Sequence, residues 1–257
     1  MALKVVELDE GLEEKFLRYL WKAPLGFFFF ITDLQMERES TRFLLAMDGG
    51  RVEGAMLFFK GRIVHARGSA RAVKALIKRI DIDVVEGMVQ LEHAKLIVRA
   101  LEPGYMAEMR MLHLRKGNER LSKVRISRRL KEGDAREVAA LMRAADPRLW
   151  GRQKAASVRE SMKHGIWVGV RKEGKLVAIG MARTHDFGGM IHTIATAEGH
   201  RNLGYATANV SSLLTEMFKR TDDALIHVFR HNGPAYRVYT KVGFRPYKRF
   251  LYFRCRK

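Results

Sequence analysis

A single cysteine, Cys255, stands among 257 residues. That scarcity excludes a disulfide framework or a cysteine-rich metal site within the chain, and no metal is expected. An unpaired thiol in a basic tail reads as incidental rather than as a nucleophile. Long apolar runs are also missing: the longest, LGFFFFIT at Leu25–Thr32, falls far short of the about 20 residues that a membrane-crossing helix needs. The opening stretch MALKVVELDEGLEEK carries acids and has no signal-peptide architecture, so a cytoplasmic protein is expected. There is no Walker G-K-S/T loop and no G-x-G-x-x-G opening a βαβ unit, which excludes the kinase, ATPase and dehydrogenase readings. Acids are few beside bases, 28 against 48, and the net charge of +20 favours a polyanionic partner: nucleic acid, an acidic protein or a phosphorylated cofactor. A solvated basic surface explains the same number equally well.

What is present is a rhythm that runs twice. In the second half, Val124–Ser127 reads as a short strand and RRLKEGDAREVAALMRAA as a helix, with Asp134 at its cap and Val138, Leu141 and Met142 at helical spacing. A second helix is expected over Gln153–Lys163. IWVGVRK and LVAIGMARTH then form two strands about a tight turn at Glu173–Gly174, and MIHTIATA follows as a third strand. A loop and helix, the strand ALIHVFR, the helix PAYRVYTKVG and a last strand RFLYFRCRK complete a β-α-α-β-β-β-α-β-α-β order. The first half reads as a weaker copy: strand LKVVELD, helix GLEEKFLRYLWKA, a hairpin turning on GGR, a strand at Arg62–Ala66, helix SARAVKALIKRI capped by Ser69, strand DVVEGMV, a short helix and strand AEMRMLHLRK. The expected domains are 1–119 and 120–257, with a hinge in the polar stretch Lys116–Lys123.

Between the third strand and the next helix lies EGHRNLGYATANVSSLL. The first amides of a helix have no internal acceptor and sit at the positive end of its dipole, so such a loop can seat a phosphate. Gly204 and Ala206 keep the approach to the backbone clear, Arg201 adds a charge, and Thr207 offers a hydroxyl. Alone, this is equally a strand-to-helix turn with an ordinary glycine. The company it keeps is more specific. Arg201, Gly204 and Ala206 match R/Q-x-x-G-x-G/A, and Asn232, Ala235, Tyr239, Gly243 and Phe244 match N-x-x-A-x-x-x-Y-x-x-x-G-F further on. In this order and spacing, residues 124–257 resemble the GNAT superfamily of N-acetyltransferases.

The resemblance implies a mixed α/β fold with a mostly antiparallel sheet and flanking helices, in two tandem GNAT-like lobes. It implies acetyl-CoA (coenzyme A) as cofactor, its pyrophosphate on the loop Arg201, Asn202, Leu203, Gly204, Tyr205 and Ala206 with Thr207 nearby. The strand Ile194, Ala195 and Thr196 would hold the pantetheine arm, with Asn232 and Ala235 beside it. Tyr239 would protonate the leaving thiolate, a role a positioned phenol can fill. The chain departs from the family at the base, because the strand before the loop carries no carboxylate. His192 shares the parity of Ile194 and Thr196 and is the expected base, with His185, Asp186, Glu198 and direct attack by a neutral amine left open. A packed strand histidine is an equal reading of His192.

In the first half the corresponding place reads Arg67-Gly68-Ser69-Ala70-Arg71-Ala72 and lacks both motifs. It resembles a degenerate GNAT lobe without cofactor, shaping the acceptor cleft or serving as a structural partner. Phe27–Phe30 is expected to pack in the core or at a lobe interface. The tail Lys241–Lys257 interleaves seven bases with five aromatics, which suits a final strand with aromatics inward or, as the alternative, a single-stranded nucleic-acid surface. The expected function is acyl transfer from acetyl-CoA to a primary amine, on a small molecule or a protein, by direct attack in a ternary complex. The alternative is a non-catalytic CoA-binding or RNA-associated protein that keeps the fold.

Overall fold

The computed structural model describes residues 3–80 and 84–256; Met1, Ala2, Asp83 of the expected strand DVVEGMV and Lys257 of the expected tail strand lie outside the described residues. The chain forms two compact units, Met1–Met111 with Lys248–Lys257, and Leu112–Tyr247. The sequence placed the boundary between 119 and 120.

The first unit begins with β1 (Lys4–Glu7) and α1 (Glu10–Leu20), where Asp9 Oδ1 accepts from Leu12 N at 3.0 Å. Then come α2 (Phe28–Met36), β2 (Thr41–Asp48), β3 (Arg51–Phe59), β4 (Ile63–Gly68), α3 (Ala70–Ile77), β5 (Val84–Gln90), α4 (Ala94–Leu101) and β6 (Tyr105–Arg115), which belongs to the second unit from Leu112 on. The hairpin between β2 and β3 turns on Gly49 and Gly50, both at positive φ, as an inverse two-residue turn requires. Ser69 caps α3 as its position predicts, its Oγ accepting from Ala72 N at 3.2 Å. Ala72, Val73, Leu76 and Ile77 form the buried stripe of that helix, packed on Met56, Val64 and Ala66 of the sheet. Phe28 and Phe30 of the aromatic run are buried in this unit.

The second unit holds β7 (Arg128–Arg129), α5 (Ala135–Ala145), α6 (Pro147–Trp150), α7 (Ala155–His164), β8 (Ile166–Lys172), β9 (Lys175–His185), β10 (Gly188–Thr196), α8 (Tyr205–Met217), β11 (Asp223–Phe229) and α9 (Gly233–Val242). Two sequence expectations fail here for one reason. Val124–Ser127 is not a strand, and Lys116–Lys123 is not a free hinge, because this stretch bonds to its own unit. Lys116 N donates to Asp222 O and Arg120 N to Val242 O, both at 2.8 Å. Ser122 N donates to Ser211 Oγ at 2.9 Å, and Ser127 Oγ to Asn209 Oδ1 at 2.7 Å. Asn209 and Ser211 are buried polar residues on α8, and these bonds satisfy part of their need there.

The last strand, β12 (Arg245–Arg256), pairs antiparallel with β5 of the first unit from Phe250↔Gln90 to Arg256↔Val84. Phe250 and Phe253 are fully buried there, while Tyr252 and Arg254 reach Glu86 at 2.7 and 3.2 Å. From Lys248 on, the tail is therefore a core strand of the first unit with Phe250 and Phe253 inward, whereas Tyr247, expected inward too, is exposed.

Both units repeat one pattern. In the first, β2, β3 and β4 pair antiparallel in succession, α3 crosses over, and β5 returns parallel to β4. In the second, β8, β9 and β10 do the same, and β11 returns parallel to β10 after α8. The fold is mixed α/β with mostly antiparallel pairing and flanking helices. Among the described residues no helix is long and apolar enough to cross a membrane.

Candidate active site

The two parallel pairs differ at their ends, and the difference makes a site. β10 and β11 pair only over Gly189↔Ala224, Met190↔Leu225 and Ile191↔Ile226, although β10 runs on to Thr196 and β11 to Phe229. The register of β10 against β9 slips between Ile191 and Thr193, so His192 is the extra residue of a bulge. Bulges bend a strand and raise its twist. Beyond the bulge β10 stays paired with β9, up to Thr196↔Ala178, and parts from β11. The edge of Ile194–Thr196 that faces β11 is thereby left without a strand partner, a row of backbone groups able to pair with an extended ligand.

At the end of that split the chain turns into α8. Asn202 and Gly204 both have positive φ, +63° and +80°, and Gly204 serves as the helix cap. No side chain caps this helix, so the first amides, Tyr205 to Thr207, keep their donors available. No atom stands within 4 Å of where a Gly204 side chain would begin. Val210, Leu213, Leu214 and Met217 bury the opposite stripe and hold the helix end in place.

α9 explains the second motif residue by residue. Asn232 Oδ1 accepts from Ala235 N at 3.1 Å, capping the helix, with Pro234 in its first turn. Tyr239 lies one turn beyond Ala235 on the same face. Gly243 ends the helix at φ +119°, where a side chain would also meet Asn118 O at 2.6 Å. Phe244 is fully buried and meets the Tyr239 ring edge-on at 6.3 Å.

A cleft of about 680 Å³ joins these parts. It brings together Ile194, Ala195, Thr196, Arg201, Asn202, Gly204, Tyr205, Ala206, Thr207, Asn232, Ala235 and Tyr239 of the residues predicted from sequence. Leu203 is exposed outside the lining, and His192 is not part of it. The lining also includes Lys241 of the basic tail and residues that sequence reasoning missed: Asp146, Leu149 and Trp150 at α6, and Arg237 on α9. Arg237 and Lys241, four apart on one helix, were a readable signal for a basic rim. α6 offered none.

No curated protein matches the chain. Residues 135–244 match the model of the acetyltransferase (GNAT) family. The chain carries a GNAT acetyltransferase domain. Solved structures extend the likeness in fold to the rest of the chain. A Drosophila protein superposes with a TM-score of 0.73 at 11% identity, covering 98% of both chains. A GNAT-family acetyltransferase from Colwellia psychrerythraea gives 0.61 at 10% identity, covering 98% of this chain and 100% of its own. A tandem GNAT protein from the clavulanic acid biosynthesis pathway gives 0.62 at 13% identity, over 99% and 98%.

Inside the GNAT domain, burial raises the Tyr239 phenol well above its ordinary value, so its Oη keeps its proton throughout the neutral range. His192 is shifted the other way. It is exposed at the bulge, and desolvation, then Arg183, then His185 lower its pKa. His185 is lowered by burial and by Arg183, with Asp186 opposing and Arg220 adding to the shift. Both imidazoles are neutral at pH 7.

The corresponding place in the first unit is closed. β4 and β5 stay paired through Ala66↔Val89. Just beyond, the buried Arg67 donates through Nη1 to Ala66 O at 2.9 Å and Met88 O at 3.0 Å, clipping the strand ends together. Its guanidinium lies 4.2 Å from the Phe250 ring centre. Gly68 N donates to Gln90 Oε1 at 3.2 Å, and His93 Nε2 lies 2.9 Å from Gly68 O. With Ser69 capping α3, this place in the first unit has neither a strand split nor an uncapped helix start.

Proposed function

We propose that the protein is an acetyl-CoA-dependent N-acyltransferase whose one cofactor site is the cleft of the GNAT domain, and that the first unit is a degenerate lobe without a cofactor site. One observation carries this reading: the strand split at His192 opens directly beneath the uncapped start of α8. An extended amide-bearing arm finds unpaired strand edge at Ile194–Thr196, and a pyrophosphate finds the free amides of Tyr205–Thr207 with Arg201 at the rim. The open space over Gly204 fits a group seated against the backbone. Arg237 and Lys241 supply further positive charge. When bound, acetyl-CoA supplies an acyl group activated as a thioester. Tyr239 Oη holds, at the cleft wall, the proton that the departing thiol requires. The clipped strands and capped helix of the first unit support the assignment of a single site.

Family members transfer acyl groups to amines in general, and a primary amine is the acceptor proposed here. The direct test measures thiol release from acetyl-CoA in the presence of a panel of amino acids, polyamines, aminoglycosides and peptides. Release that depends on an amine and yields an acetylated product supports the reading. Acetyl-CoA binding without transfer to any amine supports a CoA-binding protein that keeps the fold.

A further inference from the structure

The reaction proposed above leaves the amine undefined, and the apex of the strand split bears on it. Because Ile191↔Ile226 is the last β10–β11 pair, His192 and His227 are the next residues on the two strands and flank the apex. Ile191, Ile226 and Val228 pack toward α8 on one face of the sheet. By strand alternation His227 points to the other face, as does Arg183, which stands opposite Met190 and next to the inward Ala182. His185, two residues on from Arg183 along β9, shares this face, and Arg183 also acts electrostatically on His192 at the bulge.

The charges of this group do not balance. Among the described residues Arg183 has no ion-pair partner, and its Nε is buried without a hydrogen-bond partner. The carboxylates on this face are few. Asp186 adjoins His185, and Asp223 is already engaged by His113 at 2.6 Å and Arg115 at 3.5 Å. Arg220 adds further positive charge near His185. A bare ammonium entering here meets repulsion from Arg183, whereas an amine that brings its own carboxylate gives the guanidinium the planar, charged acceptor it lacks. Resting on the transferase reading, we propose that this face of the apex is the acceptor subsite and that it selects amines bearing a carboxylate, held by Arg183. His192 and His227 then line the path between the held carboxylate and the split.

Matched acceptor pairs test this: amino acids, ω-amino acids included, against their carboxamides, assayed for acetyl transfer with the whole chain and with Arg183→Gln and Arg183→Lys. The acids are expected to exceed their amides in kcat/KM by at least about tenfold. Arg183→Gln is expected to bring the acids down to the level of their amides in kcat/KM, with the KM for acetyl-CoA and the melting temperature unchanged, and Arg183→Lys to restore part of the preference. Amides equal to or better than acids in the wild type, or equal losses on both series in Arg183→Gln, would overturn the carboxylate assignment alone. Acetyl-CoA binding with no transfer to either series would overturn the transferase reading, and the assignment with it.

Discussion

Tyr239 and His192 were both read from sequence as catalytic, and their surroundings separate them. Tyr239 lies in the cleft wall with a phenol that burial keeps protonated. Removing its hydroxyl leaves the ring packed on Phe244, so Tyr239→Phe should cost little stability. It should lower kcat about 100-fold, the scale of a lost general acid, with the dissociation constant for acetyl-CoA unchanged. Stopped-flow or steady-state rates across pH would show it, and an undiminished kcat at every pH would remove Tyr239 from the chemistry. His192 lies outside the cleft lining at the bulge, with its pKa lowered by desolvation, Arg183 and His185. A histidine whose folded pKa lies below its unfolded value near 6.5 favours folding when neutral. Its contribution is therefore present above pH 6.5 and is lost as pH falls toward the folded value. Thermal unfolding between pH 7.5 and 4.5 should show stability falling with acid, and His192→Gln should flatten part of that slope; an unchanged slope would contradict the shift.

At the scale of elements, the two glycines of the motifs do different work. Gly204 needs a positive φ but has open space around it, so Gly204→Ala should cost about 1–2 kcal/mol through backbone strain. It should also weaken acetyl-CoA binding, roughly tenfold if a comparable energy is lost at the cradle. Gly243 combines positive φ with a clash against Asn118 O, so Gly243→Ala should cost roughly 2–4 kcal/mol while altering cofactor binding little in the molecules that remain folded. Chemical denaturation and calorimetry on the two variants would separate these effects. The contrast shows what sequence could convey. α9 was legible because Asn232 at its cap, Ala235, Tyr239 and the terminator Gly243 are all spaced by helical turns, a local code. The strand split was not, because the bulge at His192 arises from register against β9, and a one-residue slip leaves no mark in composition. Likewise Val124–Ser127 has strand-like residues, but Val124 N donates to Ser122 Oγ and Ser127 Oγ to Asn209 of α8 rather than to a neighbouring strand.

For the whole molecule, the expected division at 119/120 missed the destination of the last strand. Pattern alone placed RFLYFRCRK beside its sequence neighbours, whereas β12 pairs with β5 and puts Phe250 and Phe253 in the core of the first unit. Burying two such rings is worth several kcal/mol, about 3–5 for each on truncation. A chain ending at Tyr247 should therefore lose the first unit's protection while the GNAT domain keeps its own, which limited proteolysis with mass spectrometry would resolve. Equal resistance of both units would contradict that assignment. The repeat of strand order in the two units, open in one and clipped by Arg67 in the other, is the basis of the proposal that the chain holds one cofactor. Isothermal titration of acetyl-CoA into the full chain tests this account most directly. One equivalent per chain, lost or strongly weakened in Gly204→Ala, is the predicted result. No binding, or two equivalents, would contradict it.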